Sequence, residues 1–271
     1  VLGSAEDVPA LLGLVGHEDG AGAAAKRALA QIPGDGVSAL IGAALVSGDS
    51  ADRRGMLDLL IDRAEAGSVR HYLAVVCDAD RRVREGALRG IGKHGRLTAL
   101  TALLALLNDD IGDADVRRPF ETCTATLCRR LTETGPASTF CLVALPNATV
   151  HGRPSFLRVL GILAEEEGLV AISGDAASPD EAIRDAAVRA LAAWPDMSAW
   201  DALLGVAGET DNLIHHVLAL RGCRRLLSTM VDGDPEELKK LYDAALATAR
   251  RDQEKKLFTF RLDDICFYIA N

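Results

Sequence analysis

Aromatic residues are scarce: Phe, Trp and Tyr together make up 4% of 271 residues. Strands favour β-branched and aromatic side chains, so a chain dominated by Ala, Leu and Gly reads as close-packed helices. Lysine is scarce too, found only at 26, 93, 239, 240, 255 and 256, so Arg supplies most of the 30 basic residues. Arg offers a rigid fork of donors, which points to oriented hydrogen bonds more than loose surface charge. Against 39 acidic residues the net charge is −9, which counts against nucleic acid as a partner while leaving room for a local basic stripe. The six cysteines (77, 123, 128, 141, 223, 266) contain no Cys-x-x-Cys pair and read as small buried apolar residues, a Cys128–Cys141 bridge being the one alternative. No apolar run approaches the roughly 18 residues of a membrane span. No secretory leader is visible, but the chain starts at Val, so one removed earlier stays open and localisation leans weakly extracytoplasmic and bacterial. No Gly-x-Ser-x-Gly, His-Glu-x-x-His or Walker loop occurs, and no catalytic residue, cofactor, metal site or small-molecule substrate is expected.

What is present is a repeat. "DADRRVREGALRGIGKHG" (78–95) is written again as "SPDEAIRDAAVRALAAWPD" (178–196), with Asp80 and Arg84 matching Asp180 and Arg184, and Arg89 matching Arg189. The Asp-to-base spacing returns at Asp49 and Arg53, Asp113 and Arg117, Asp211 and His215, and Asp252 and Lys256; Thr149 precedes Arg153, and Glu18 keeps only the acidic start. Markers at 18, 49, 80, 113, 149, 180, 211 and 252 give intervals of 31, 31, 33, 36, 31, 31 and 41, a period that signals a solenoid. The Asp suits a helix N-cap, where its charge also meets the positive end of the helix dipole. Another Arg recurs five residues past the basic slot, at 89, 158, 189 and 261. Turns at 32–35, 94–96 and 194–196 lead into second apolar helices such as "VPALLGLVG" (8–16), "VSALIGAALVSG" (37–48), "LTALTALLALLND" (97–109) and "MSAWDALLGVAG" (197–208). Two helices of about 12 residues with their turns fill one period, and each hairpin is too apolar to stand alone.

The acidic cap, the Val-Arg start, the Ala-rich stripe and the Pro/Gly/Asp turn resemble HEAT repeats, most strongly at 78–108 and 178–228. The tract "HHVLALRGCRRLL" (215–227) with "EKKLFTF" (254–260) is similar to HEAT tracts of large multidomain bacterial proteins. The resemblance implies an all-α, right-handed α-α superhelix of about seven to eight stacked hairpins, with 1–271 a single solenoid domain. The spacing departs from the pattern at 113–150, where Pro119 and Pro146 intrude. Val1–Gly3 read as the tail of a truncated helix, so the chain is expected to be an excised part of a longer protein, one end covered by a neighbouring domain or a second copy.

Several local motifs have plain readings. "GIGKHG" (90–95) matches the dinucleotide fingerprint but lies on an Arg-started helix, so its glycines read as a helix stop. His17-Glu18 is one His-Glu pair, whereas the similar HEAT-like deoxyhypusine hydroxylases hold two irons with several. His215 and His216 point about 100° apart on a helix, unlike zinc ligands, and read as a cap substitute beside a surface His. Glu165–Glu167 and the Asp-x-Asp pairs at 78/80 and 113/115 read as solvated acids and caps. Second helices line the concave face of HEAT arrays, so Tyr72, Trp200 and Tyr242, if exposed there, are candidate partner anchors, core packing being the commoner fate of a lone aromatic at helical spacing. The leading expectation is a non-enzymatic scaffold presenting a concave groove to a protein partner or to a neighbouring domain of the same chain. The alternatives are a structural spacer between catalytic or binding domains, and a HEAT-like DNA glycosylase, which would need a basic groove with Trp or Tyr and a carboxylate at its centre.

Overall fold

A computed structural model describes residues 4–17, 19–230 and 233–259, and among these there is no strand. Val1–Gly3, Glu18, Arg261 and Cys266, which carry parts of the repeat reading, lie outside the described residues. Contacts divide the chain into two compact units, residues 4–106 with 111–131, and residues 107–110 with 132–259.

The first unit runs α1 (Val8–Leu12), α2 (Gly20–Gln31), α3 (Asp35–Ser47), α4 (Ser50–Arg63), α5 (Val69–Val75), α6 (Arg81–His94), most of α7 (Leu97–Asn108) and α8 (Ala114–Leu131). The Asp/Arg helices form one layer, in which α2 touches α4, α4 touches α6 and α6 touches α8; α1, α3 and α5 form the other. The second unit contains α9 (Thr139–Ala144), α10 (Arg153–Leu163), α11 (Glu166–Asp175), α12 (Glu181–Ala192), α13 (Trp200–Glu209), α14 (Leu213–Thr229), α15 (Pro235–Thr248) and helical residues 252–259. There α10, α12 and α14 pack in series, and α11, α13 and α15 pack against them. Each unit is therefore an all-α stack of helical repeats in two layers.

The start of each Asp/Arg helix is chemically alike. Asp49 Oδ1 accepts from the Ala51 and Asp52 amides, both at 2.9 Å, and Asp180 Oδ1 from Ala182 and Ile183 at 2.9 and 3.1 Å. Asp80 caps α6 through the Arg82 amide at 2.7 Å, and Asp113 caps α8 through Asp115 and Val116. Thr149 departs from this: its hydroxyl accepts from the Gly152 amide at 3.0 Å in the turn before α10, and α10 itself starts after Gly152 without a side-chain cap. Two markers sit one residue early. Asp19 caps α2, and Asn212 caps α14 by accepting from Ile214 and His215, while Asp211 is exposed. The reason is that an N-cap must adopt extended backbone angles, and any short polar side chain that lands on that residue can serve.

The basic slot ties each helix to the turn before it. Arg84 Nη1 donates to the carbonyls of Asp78 and Ala79 at 2.8 and 2.9 Å, and Arg184 Nη1 to Ser178 and Pro179 at 2.6 and 3.4 Å. Arg117 Nε donates to Gly112 O at 2.9 Å. Arg53 adds an ion pair with Asp78, and Arg153 grips both carboxylate oxygens of Asp175 at 2.8 and 3.0 Å. Lys256 does not share this work, being exposed; nearby Arg250 makes a different tie, to the end of α13, donating to Thr210 O at 2.9 Å and Gly208 O at 3.0 Å.

A second set of donors sits at the far end of the same helices. Arg63, whose side chain is only 4% exposed, donates to the carbonyls of Leu29 and Ile32 at 2.6 and 2.7 Å, which are the open end of α2. His94 Nε2 lies 3.0 Å from Ile61 O at the end of α4. Arg130 donates to Gly95 O beyond α6, and Arg225 to Ala192 O and Trp194 O beyond α12. Helix C-termini leave four carbonyls without intrahelical donors, and here the next helix of the layer supplies them.

Candidate functional site

The three aromatic residues named as candidate partner anchors are in the core, the commoner fate, and do not face a partner. Tyr72 is fully buried, and Trp200 and Tyr242 are buried as well, Tyr242 with its ring edge-on to Phe258 at 6.3 Å. The cause for Tyr72 lies on another helix: Gly90, in the middle of α6, has no side chain, and a Cβ there would stand 2.8 Å from the Tyr72 ring. The ring occupies the space the glycine leaves. Gly90 and Gly92 are accordingly inside α6 rather than its stop, and only Gly95 follows the last turn.

The remaining side chains also find structural places. His216 is buried rather than on the surface, its Nδ1 2.7 Å from Ala207 O and its Nε2 3.2 Å from Glu254. His215 occupies the basic slot, is buried and meets Asp185 at 3.3 Å. Burial pushes the Glu254 carboxyl up, but donation from the Arg251 amide and guanidinium, His216 and the Arg250 amide outweighs it and holds the group at about 2. Glu165 is a cap rather than a solvated acid, accepting from the Ala137 and Ser138 amides at 3.0 and 2.7 Å. Cys77 is exposed and Cys123, Cys128, Cys141 and Cys223 are buried, and none of the five is in a disulfide, so Cys128 and Cys141 do not form a bridge. Arg189 pairs with Asp185 within α12 at 2.7 Å. Among the described residues no group of three metal-ligating side chains converges, and no helix is long and apolar enough to cross a membrane.

A built cleft does exist, in a place other than the second-helix face. Between α6 and α8 runs a groove of about 840 Å³. Its α6 wall is one stripe at helical spacing, Arg81, Glu85, Arg89 and Lys93, and its α8 wall is Asp115, Arg118, Thr122 and Thr126. Leu88, Gly92, Pro119 and Cys123 make an apolar floor. The gap has two local causes. Gly92 places bare backbone opposite Cys123, whose Sγ would be 3.9 Å from an added Cβ, and Pro119 stands inside α8, where it has no N–H for the Asp115 carbonyl. Cys123 Sγ donates to Leu88 O at 3.3 Å across the floor, and burial pushes its thiol up to about 12.

Charge on the rim is uneven. Arg81 and Glu85 pair at 2.7 Å, a contact that holds the Arg81 guanidinium above its usual value. Arg89 reaches out of the groove to the exposed Asp58 at 3.1 Å. Lys93 and Arg118 are exposed and have no ion pair among the described residues. A smaller hollow of about 210 Å³ on the other side of α6 is lined by Arg54, Arg82 and Arg89 together with Asp58 and Glu85.

No family model matches the chain, and no curated protein does. Among solved structures it is similar to an engineered protein from the Northeast Structural Genomics Consortium (18% identity, 96% of this chain and 79% of that one, TM-score 0.39). It is also similar to the complex of CpcE and CpcF of phycocyanin lyase from Nostoc sp. PCC7120 (15% identity, 95% and 94%, TM-score 0.30). A second engineered protein from the same consortium aligns at 16% identity over 89% of this chain and 96% of that one, with a TM-score of 0.23.

Proposed function

We propose that the chain is a non-enzymatic, protein-binding array of HEAT-type repeats and that the α6–α8 groove receives a segment of a partner protein or of a flanking domain. The observation that carries this reading is the groove itself: an apolar floor under a charged rim, with two of its cations uncommitted. Its volume of about 840 Å³ lies in the range of ligand clefts, roughly 300–1,000 Å³. A spacer has no use for such a cleft, because filling it with side chains would stabilise the stack. The glycosylase alternative is less well supported, since both Trp residues and Tyr72 are packed in the core rather than presented to a base.

The reading is tested by placing a photo-crosslinking amino acid at Thr126, on the groove rim, and at Thr98, exposed on α7. Adducts in extracts of the source organism should form from Thr126 and not from Thr98, and the purified adduct partner should rebind the unmodified chain but not Gly92→Trp. Equal labelling from both positions, or rebinding indifferent to Gly92→Trp, overturns it.

A further inference from the structure

The chemistry of the groove says more about its occupant. We infer, resting on the groove being a binding site, that it takes a short acidic protein segment that lays an apolar side chain on the floor at Gly92 and sets carboxylates against Lys93 and Arg118.

Three observations carry this. The first is charge. In a chain of net charge −9 the groove lining holds four cations, Arg81, Arg89, Lys93 and Arg118, against two carboxylates, Glu85 and Asp115. Arg81 and Glu85 engage each other and Arg89 engages Asp58, so what faces an occupant is Lys93 and Arg118 against Asp115, a surplus of one positive charge. The second is polarity along the groove. Asp115 lies near the start of α8 and Arg81–Glu85 near the start of α6, whereas Lys93 lies in the last turn of α6. Arg81 and Lys93 are twelve residues apart on one helix, about 18 Å, which spans five or six residues of extended chain. A segment with its acids toward Lys93 and a neutral or basic residue beside Asp115 matches both ends. The third is what the walls still offer. The Thr122 and Thr126 hydroxyls donate to Arg118 O and Thr122 O at 3.0 and 2.9 Å, which leaves their lone pairs to accept from the amides of an incoming backbone. The floor offers no free donor, because the Cys123 thiol is spent on Leu88 O. A nucleic acid would use the cations but neither the apolar floor nor these acceptors, and among the described residues no aromatic lines the groove for a base to stack on.

The test is selection of a phage-displayed library of random peptides on the intact chain, with counter-selection on Gly92→Trp. An indole at 92 fills the groove from a helical position where a Cβ meets only Cys123 Sγ, at 3.9 Å. Recovered peptides should carry Asp or Glu on one side of a Leu, Ile or Phe. As synthetic peptides they should bind the parent and Gly92→Ala alike. Binding should vanish in Gly92→Trp and weaken about tenfold in Lys93→Glu/Arg118→Glu, with a matching loss at high salt. Circular dichroism melts of each variant show whether it folds, and the double charge variant tests the inference should Gly92→Trp not fold. Peptides lost in Gly92→Trp but without acidic excess would overturn the acidic occupant and leave the binding groove standing. Peptides, or no peptides, that ignore both groove variants would overturn the two together. A duplex oligonucleotide bound by the parent and released by the charge variant would assign the groove to nucleic acid and overturn the inference.

Discussion

Two glycines two residues apart on α6 should respond to the same substitution in opposite directions. Gly92→Ala adds a methyl where the nearest side-chain atom is 3.9 Å away, an ordinary contact, so the change is dominated by backbone entropy. A Gly in a helix interior costs about 1 kcal/mol relative to Ala, and Gly92→Ala should stabilise by about that amount. Gly90→Ala gains the same helix term but drives a methyl to 2.8–2.9 Å from three atoms of the Tyr72 ring. That ring is fully buried and cannot swing into solvent, so α5 or α6 must shift. Overpacking of this kind costs about 1–3 kcal/mol, which leaves Gly90→Ala between neutral and about 2 kcal/mol destabilising. The helix term cancels in the difference between the two variants, which should therefore be about 1–3 kcal/mol. Urea titrations followed by far-UV circular dichroism measure it as a shift in midpoint at unchanged slope. If Gly90→Ala proves as stable as Gly92→Ala, the close approach of Tyr72 to α6 is not what holds these helices together.

Other consequences follow from the capping scheme. Glu254 is held at about 2 against an ordinary 4.5, so it contributes stability that is complete above pH 4.5 and is lost as pH falls toward 2. Glu254→Gln should lower stability at neutral pH and flatten the acid limb of a pH series of melts. Asp180→Ala should cost about 1 kcal/mol, because two amides of α12 lose their acceptor, while the same change at exposed Asp211 should register nothing in the same titration. Arg63→Met should cost about 3 kcal/mol by leaving the Leu29 and Ile32 carbonyls and Glu65 without their donor, whereas Arg54→Met, on a side chain with no partner of that kind, should stay within about 0.5 kcal/mol. Thermal melts of the pair would coincide if the Arg63 bonds carried little.

The repeat was legible because its signals are local: an N-cap, a base one turn later and a turn residue all act within a few positions of one another. Where one of two adjacent polar residues could cap, as with Asp211 and Asn212, spacing alone could not choose, because backbone angle decides. Which fate Tyr72 meets could not be read locally, for the opposite reason. The residue that buries it, Gly90, is eighteen positions away, and nothing in either local stretch announces the pairing. The groove lies between these cases. Arg81, Glu85, Arg89 and Lys93 are visible in the sequence as a stripe with a period of four, but the cleft beside them depends on how α8 lies against α6, with Gly92 and Pro119 on its floor, which no pattern within α6 announces. The donors at helix ends could have been found. Arg63, His94 and Arg225 each fall fourteen positions after the markers at 49, 80 and 211, and Leu163 and Trp194 at the same offset from Thr149 and Asp180 hide the series.

Those donors all point one way along the chain. Arg63 closes α2, His94 closes α4, Arg130 closes α6 and Arg225 closes α12; in each case the later helix completes the earlier. The stack therefore has an arrow. A hairpin leaving the ribosome carries bare carbonyls until the one after it has been made, so chain growth and structural completion run in the same direction, one repeat out of step. Trimming from the front removes a client, whereas trimming from the back removes a supplier, and cuts of equal size at the two sides should not be equally tolerated.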